Sequence, residues 1–372
     1  MELPRCPICD EPVELSRLRR VRSSVGDGSE SNEYLRRFAS SAVFEELLTN
    51  PVHHRPLAQK KLKKETTESW GVVEAVERIL RENPNLCSSG AEPGAAQSTT
   101  PDYSSLCFVD LCCGTSLTGT LLALTYPGST IIAVDQNREM DPSTDHDNYR
   151  RLRETRGGFG RINSLSHMEA PSFYLQADIL HDSFPARLSA ALDGVASKAA
   201  EAGSGGPGLG SRPLVAVICG MHLCGALSPR AIELFCTMDA VKAIVLSPCC
   251  LPSKTMSTVA ADSGTADGLA QYRYWCLALT RYLGMRMRRG VHALSSAPAD
   301  TVSARDEGEH ACGDSDKAGL KGPAGCSSSS SSSSAQAFEY VDGNIMSQRD
   351  GVIIGVKAAE AAAAEEEEEE EK

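Results

Sequence analysis

Short apolar runs and helical patterns alternate from residue 106 onward, and this alternation most restricts the folds open to the chain. Strands are predicted at "LCFVDL", "TIIAVD", "SFYLQADI", "LVAVICG" and "AIVLSPC", with helical periodicity between them. Strands that alternate with helices form βαβ units, which assemble into a parallel, doubly wound sheet. The last two runs, "AFEYVD" and "GVIIGVKA", predict an antiparallel pair. We therefore predict an α/β fold with a mostly parallel seven-stranded sheet and a terminal antiparallel hairpin.

Composition divides the 372-residue chain into segments of different character. The N-terminal part has helical spacing in "NEYLRRFASSAVFEELL" and "SWGVVEAVERILRENP", whereas later stretches rich in Gly, Ser and Pro contain too few apolar residues to pack. The predicted organisation is a helical N-terminal region (1–87), a linker (88–105), the α/β domain (106–294), a disordered low-complexity insertion (295–336), closing strands (337–357) and an acidic tail (358–372). A second short insertion, 201–212, lies within the α/β domain.

The net charge of −12 is concentrated at the C-terminus, where eight Glu and one Lys of the tail contribute −7. The rest of the chain carries only −5. Its positive residues cluster in the segments 16–22, 59–64, 150–156 and 281–289. Such clusters either contact a phosphate backbone or form solvated helix faces, and the composition alone leaves both readings open.

Neither a membrane span nor an export signal is predicted. No apolar run approaches the roughly 20 residues that cross a bilayer, and the N-terminus "MELPRCPICDEPVEL" is too charged for a secretory signal. Fourteen cysteines without such a signal favour reduced thiols over a disulfide framework. We expect a cytoplasmic or nuclear protein with no membrane partner.

The segment "FVDLCCGTSLTG" (108–119) joins the first predicted strand to a helix through a turn that contains glycine. An acid precedes the glycine, unlike the G-x-G-x-x-G loop of nicotinamide enzymes. The segment resembles the D-x-G-x-G-x-G motif of S-adenosylmethionine enzymes, with Asp110 near the cofactor's amino group and Gly114 as the central glycine. Cys112 and Ser116 replace the other two glycines, so either Cys112 accepts a less favourable dihedral or the turn differs slightly.

Two further acids follow the next two strands, since Asp135 ends "IIAVD" and Asp178 ends "FYLQAD". A carboxylate after the second strand can accept both ribose hydroxyls, and one after the third can accept the adenine amino group. One such acid is usually a turn or capping residue, but three in register predict a cofactor site for S-adenosylmethionine. The predicted cofactor-binding residues are Asp110, Cys112, Gly114, Ser116, Asp135 and Asp178.

The loops after the fourth and fifth strands, "GMHLCGALS" and "SPCCLPS", carry a histidine and three cysteines. In a sheet ordered 3-2-1-4-5, strands one, four and five are neighbours, and ligands bind outside their carboxyl ends. Six side chains should therefore surround one crevice: Cys112, Cys113, His222, Cys224, Cys249 and Cys250.

A His-x-Cys-Gly loop followed by a Cys-Cys pair resembles the methyltransferase superfamily that includes the acceptor-stem tRNA 2′-O-methyltransferases. It is also similar to methyltransferase-like proteins with a glutathione S-transferase C-terminal domain. The resemblance covers residues 106–290 and the closing strands, about half of the chain. It implies a Rossmann-like class I methyltransferase fold and methyl transfer from S-adenosylmethionine, with RNA, and tRNA in particular, as the leading acceptor. The missing Asn/Asp-Pro-Pro-aromatic loop argues against methylation of an exocyclic base amine.

The predicted catalytic group consists of His222, Cys224, Cys249 and Cys250. A hydroxyl acceptor must lose its proton, and His222 is the natural base because imidazole titrates near neutral pH. Equally, the ring could hold the turn by bonding backbone carbonyls, and Cys224 and Cys249 could be buried fillers. A nucleophilic cysteine, as in cytosine-C5 RNA methylases, is another alternative, although "SPCC" lacks the rest of that motif.

Zinc is an alternative of a different class. The tRNA enzymes carry an N-terminal Cys/His zinc module, whereas this chain pairs only Cys6 with Cys9 and has His53, His54 and Cys87 at irregular spacing. The six crevice residues could also form a zinc or redox site. We assign no metal ligands on this basis.

The predicted function is that of an S-adenosylmethionine-dependent methyltransferase acting on an RNA hydroxyl or base. Replacement of two motif glycines keeps a non-catalytic, S-adenosylmethionine-binding scaffold as an alternative. A protein or a small molecule is the alternative acceptor.

Overall fold

The computed structural model describes residues 21–26, 30–49, 61–86, 103–137, 173–202, 213–249, 268–295, 335–346 and 350–357. Most of the predicted linker, most of both insertions and the acidic tail lie outside the described residues. So do the basic segment 150–156 and six residues of the sequence analysis: Cys6, Cys9, His53, His54, Cys87 and Cys250.

Seven strands form a single sheet at the centre of the described structure. They are β1 (Leu106–Leu111), β2 (Thr130–Asp135), β3 (Phe173–Gln176), β4 (Val215–Met221), β5 (Val241–Ser247), β6 (Gln336–Val341) and β7 (Gly351–Val356). Their order is β3-β2-β1-β4-β5-β7-β6. The first five strands are parallel, and β7 runs antiparallel to both β5 and β6. The sheet confirms the predicted α/β fold class and its closing hairpin.

Helices flank the sheet on both faces. In chain order they are α1 (Glu33–Ala39), α2 (Ala42–Thr49), α3 (Leu62–Glu82), α4 (Leu117–Thr125), α5 (Phe184–Ala202), α6 (Leu227–Thr237) and α7 (Gly268–Ser295), with a 3₁₀ turn at Pro84–Leu86. None of the helices within the described residues is long and apolar enough to span a membrane.

Two hydrophobic cores lie on opposite faces of the sheet, because successive side chains of a strand alternate in direction. Phe108 of β1 packs into one core together with the helices α1 to α4, and Val109 packs into the other with α5, α6 and α7. The central strands are buried along their length, which explains their continuous apolar runs in the sequence.

The sequence "NEYLRRFASSAVFEELL", predicted as helical, forms two helices that are separated by Ser40 and Ser41. The amide of Ser40 closes α1 by donating to the Arg36 carbonyl, while Ser41 Oγ accepts from the amide of Phe44 at 3.2 Å. Serine side chains that bond nearby backbone groups favour helix ends over helix interiors, so the pair breaks the pattern.

Helix α3 precedes the linker in the chain, yet it packs directly on the sheet beside α4. Trp70, Val73 and Val76 belong to the same buried core as Phe108. Ser69 Oγ lies 3.0 Å from Thr118 Oγ, which ties α3 to the first turn of α4. The N-terminal region is thereby held close to the carboxyl ends of the strands.

Candidate active site

The turn after β1 takes three left-handed backbone conformations. Cys112 and Ser116 both have φ of 55°, and Gly114 has φ of 51°. For a residue with a Cβ atom this conformation costs roughly 1–2 kcal/mol relative to a right-handed one. Cys112 and Ser116 therefore take the backbone of the glycines that they replace, as the sequence analysis allowed for Cys112, and strain is stored in this turn.

Asp110 is buried at the end of β1 and holds this turn in shape. Its Oδ2 accepts from the amide of Gly119 at 3.1 Å and from Ser116 Oγ at 3.3 Å. Burial raises the pKa of Asp110 to about 7, with a smaller contribution from the charge of Asp135, and the two hydrogen bonds oppose the shift. A cationic ligand would stabilise the ionised form of such a buried carboxylate, because the opposite charge offsets the lost hydration.

Asp135 lies at the end of β2, directly opposite the same turn. Its Oδ2 accepts from the amide of Gly114 at 3.1 Å, and its Oδ1 accepts from the amide of Asn137 at 2.9 Å. Asp178, beyond β3, is exposed and accepts from the amide of Leu180 at 2.9 Å.

The charges of the three predicted acids all act on the thiol of Cys112. Burial first, and then the charges of Asp135, Asp110 and Asp178 in that order, raise the pKa of Cys112 to about 12. A Cβ atom built on Gly114 would meet nothing within 4 Å, so open space remains above the turn. A buried acid in need of a cation, two further acids and an open glycine turn fit S-adenosylmethionine, which carries a sulfonium, an amino group and ribose hydroxyls.

The loop after β4 begins with a third non-glycine residue in the left-handed region. His222 has φ of 58°, and its amide donates to the Ser247 carbonyl at 3.1 Å, which fixes the loop to the end of β5. Ser228 Oγ donates to the Leu223 carbonyl at 2.7 Å and closes the loop against α6. Since β1 pairs with β4 up to Leu111 and Gly220, His222 follows its strand at about the level of the β1 turn.

The His222 imidazole contacts two carboxylates of α3. Its Nε2 lies 3.5 Å from Glu65 Oε2 and 3.3 Å from Glu68 Oε2. Hydrogen bonding to Cys249 and then to the two carboxylates raises the pKa of His222 to about 11, although burial alone would lower it. The imidazole is therefore protonated at neutral pH in this arrangement, and it can act as the base that the sequence predicts only after it releases that proton.

Glu68 is the more buried of these two acids, with 4% of its side chain exposed. Burial raises its pKa, but hydrogen bonds from His222 and Lys64 outweigh that effect and leave the pKa lowered. Lys64 Nζ lies 2.7 Å from the Glu68 carboxylate. Glu65, Glu68, His222 and Lys64 therefore form a polar cluster in which two carboxylates face two positively charged groups.

Cys224 and Cys249 meet beside this cluster. Their Sγ atoms are 2.8 Å apart, and Cys249 also hydrogen-bonds His222. The described residues thus bring together three of the four residues of the predicted catalytic group. Whether these groups catalyse the reaction stays a prediction.

The sequence analysis missed Glu65 and Glu68, because it placed them in the helical N-terminal region and assigned that region no part of the site. Both lie in "KKETTES", where a polar run would ordinarily face water. A helix that buries Thr66, Thr67 and Ser69 as well as Glu68 turns that polar stripe inward. The only sequence signal is the i, i+3 spacing of the two acids, which places them on one helix face.

Residues 93–255 match a family model described as a methyltransferase domain. The matched segment is 163 of the 372 residues, somewhat less than half of the chain. It contains β1 to β5, all three predicted acids and the loop that carries His222. The match confirms the predicted methyltransferase class. The three acids and the open turn described above fit the predicted cofactor, S-adenosylmethionine.

Several solved methyltransferase structures show a weak similarity to this chain. The plantazolicin methyltransferase BpumL bound to SAH has 6% identity and a TM-score of 0.29, covering 91% of this chain and 99% of that chain. An O-methyltransferase family protein from Burkholderia thailandensis has 9% identity and a TM-score of 0.28, covering 93% and 73%. TrmK of M. capricolum bound to SAH has 8% identity and a TM-score of 0.21, covering 52% and 82%. These likenesses are too weak to indicate an acceptor.

No curated protein matches the sequence.

Proposed function

We propose that the domain transfers the methyl group of S-adenosylmethionine to a hydroxyl of RNA, with tRNA as the leading substrate. The observation that carries the proposal is the position of α3, which touches both halves of the site. Ser69 contacts the helix that begins at the cofactor turn, and Glu68 contacts His222 after β4. A methyl donor at β1 and the two carboxylates beside His222 would face one acceptor between them.

S-adenosylmethionine supplies the activated methyl group, and the chain's own residues bind it and prepare the acceptor. Asp110 and Asp135 hold the turn and offer carboxylates to the amino group and the ribose of the cofactor. An acceptor hydroxyl must lose its proton as the methyl group arrives. Within the hydrogen-bonded group of Glu65, Glu68 and His222 the imidazole is already protonated, so the two carboxylates would accept this proton.

Basic residues at the rim favour a polyanionic substrate. The start of α3 carries Lys61, Lys63 and Lys64 in "KKLKK", and Lys64 reaches the acid that contacts His222. Contacts between lysine side chains and phosphates position a nucleic acid without reading its sequence. The resemblance of the His-x-Cys-Gly and Cys-Cys motifs to the tRNA 2′-O-methyltransferases supports the same acceptor.

The test is transfer of tritiated methyl groups from S-adenosylmethionine to total RNA and, separately, to total protein by the full chain. We expect label in RNA that is sensitive to ribonuclease, no label with Asp135→Ala, and a loss of at least about 100-fold with His222→Ala. Glu74→Gln, on the same helix but paired with Arg37, should retain activity. Label that appears only in protein would overturn the RNA assignment, and a labelled base in place of a labelled ribose would correct the acceptor atom.

A further inference from the structure

We propose that Glu65, Glu68 and His222 form a binding site for a divalent transition metal, and that zinc fits this donor set. The inference concerns metal binding alone and does not depend on the acceptor or on methyl transfer.

The spacing of the donor atoms is that of ligands around one ion. One carboxylate oxygen from each acid and a ring nitrogen of His222 lie within 4.8 Å of one another. The two contacts of His222 Nε2, at 3.3 and 3.5 Å, match the separation of about 3.3–3.6 Å between ligands of tetrahedral zinc with bonds of 2.0–2.2 Å. A small inward movement of the acids and release of the proton on His222 Nε2 to solvent would complete the coordination.

Two features show that the cluster is held in place by the fold. Glu68 is almost fully buried, and His222 keeps a left-handed backbone that a histidine rarely adopts. Strain that survives at a polar cluster is a common property of functional sites. The ligands come from α3 and from the loop after β4, so both elements must be in place before the three donors meet.

The surroundings also suit a metal ion. Histidine ligands usually engage a second partner that orients the ring, and Cys249 hydrogen-bonds His222. Lys64, the cation that faces the cluster, balances part of the charge of the two acids. An ion with three protein ligands keeps an open position, which is the arrangement of catalytic zinc sites and would face the methyltransferase crevice.

Metal binding is tested on the full chain carrying Cys6→Ser and Cys9→Ser, which removes the N-terminal cysteine pair as a competing zinc site. The protein is stripped with a chelator, dialysed and titrated with Zn²⁺ by calorimetry. We expect binding that Glu68→Gln and His222→Ala each weaken by at least about tenfold, because even the loss of an outer-shell partner has an effect of this size. Glu74→Gln is the matched control and should bind as the parent does.

Thermal unfolding with chelator present checks that each variant folds. Glu65→Gln, which removes the more exposed acid, provides a ligand variant with little risk to folding. Equal Zn²⁺ affinity in the parent and in all three ligand variants would overturn the proposal. Loss of binding only in Cys224→Ser and Cys249→Ser would show that the thiols hold the ion and that the proposed ligands are wrong.

Discussion

His222 Nε2 lies 3.3 Å from Glu68 Oε2 and thereby joins the loop after β4 to a helix that precedes the methyltransferase domain in the chain. In the sequence, the two residues lie on opposite sides of the predicted linker. It makes the N-terminal helix part of the candidate active site and gives a buried carboxylate two positively charged partners, His222 and Lys64.

Removing the charge of Glu68 should destabilise the protein. Glu68→Gln leaves Lys64 beside a protonated His222 without the acid that holds them together, and we expect a loss of about 1–2 kcal/mol in the free energy of unfolding. The estimate is modest because Lys64 and His222 remain partly exposed. Urea denaturation in the presence of chelator measures it.

The control for this variant is Glu74→Gln, whose ion pair with Arg37 lies nearer the surface. Its loss should stay below about 1 kcal/mol, as for other surface pairs. A change in Glu68→Gln no larger than in the control would show that the contact with His222 adds nothing to stability.

Cofactor affinity should depend on pH through Asp110, whose pKa of about 7 reflects its burial. A positively charged cofactor binds better to the ionised carboxylate, so affinity should fall as the pH drops below 7. The loss should approach about tenfold for each pH unit. Calorimetric titration with S-adenosylmethionine between pH 5.5 and 7 measures this slope, and Asp110→Asn should bind weakly with no slope. A wild-type affinity that is constant over this range would contradict the assignment of Asp110.

The same burial predicts that Asp110 lowers stability when no cofactor is bound. Its folded-state pKa is raised, so its contribution to stability is complete below about pH 4 and is lost as the pH rises through about 7. Asp110→Asn keeps an oxygen that accepts from Gly119 and Ser116. At pH 8 without cofactor, the variant should therefore be more stable than the wild type by about 1–3 kcal/mol in urea denaturation. A variant less stable than the wild type would show that the ionised carboxylate holds the turn better than an amide does.

The fold was predictable because its information is local. The periodicity of the apolar residues predicted the seven strands and the closing hairpin. The rule that ligands bind beyond the carboxyl ends of parallel strands predicted that Asp110, Asp135 and His222 lie at the same edge of the sheet. The left-handed backbone of Cys112 was one of the two possibilities that the motif left open, and the structure shows that Cys112 takes it.

The protonation state of His222 could not be predicted from local sequence. An isolated imidazole titrates near neutral pH, but here its proton is shared with Cys249, Glu65 and Glu68. The two acids come from a helix more than 150 residues earlier in the chain, and no local pattern indicates that this helix packs on the end of β4. Tertiary contacts therefore decide the protonation state, whereas sequence decides only the residue type.

Two glycines within helices, Gly119 and Gly194, should respond in opposite ways to alanine. Alanine in a helix interior is favoured over glycine by about 1 kcal/mol, and a Cβ on Gly194 in α5 would meet nothing within 4 Å, so Gly194→Ala should stabilise the protein. A Cβ on Gly119 would lie 2.6 Å from Ser116 Oγ and 3.1 Å from Asp110 Oδ2. Gly119→Ala should therefore push both side chains out of the cofactor turn and weaken S-adenosylmethionine binding at least about tenfold, whereas Gly194→Ala leaves binding unchanged. Thermal unfolding and calorimetry on the two variants separate these effects, and unaltered cofactor binding by Gly119→Ala would mean that the Asp110 turn does not position the cofactor.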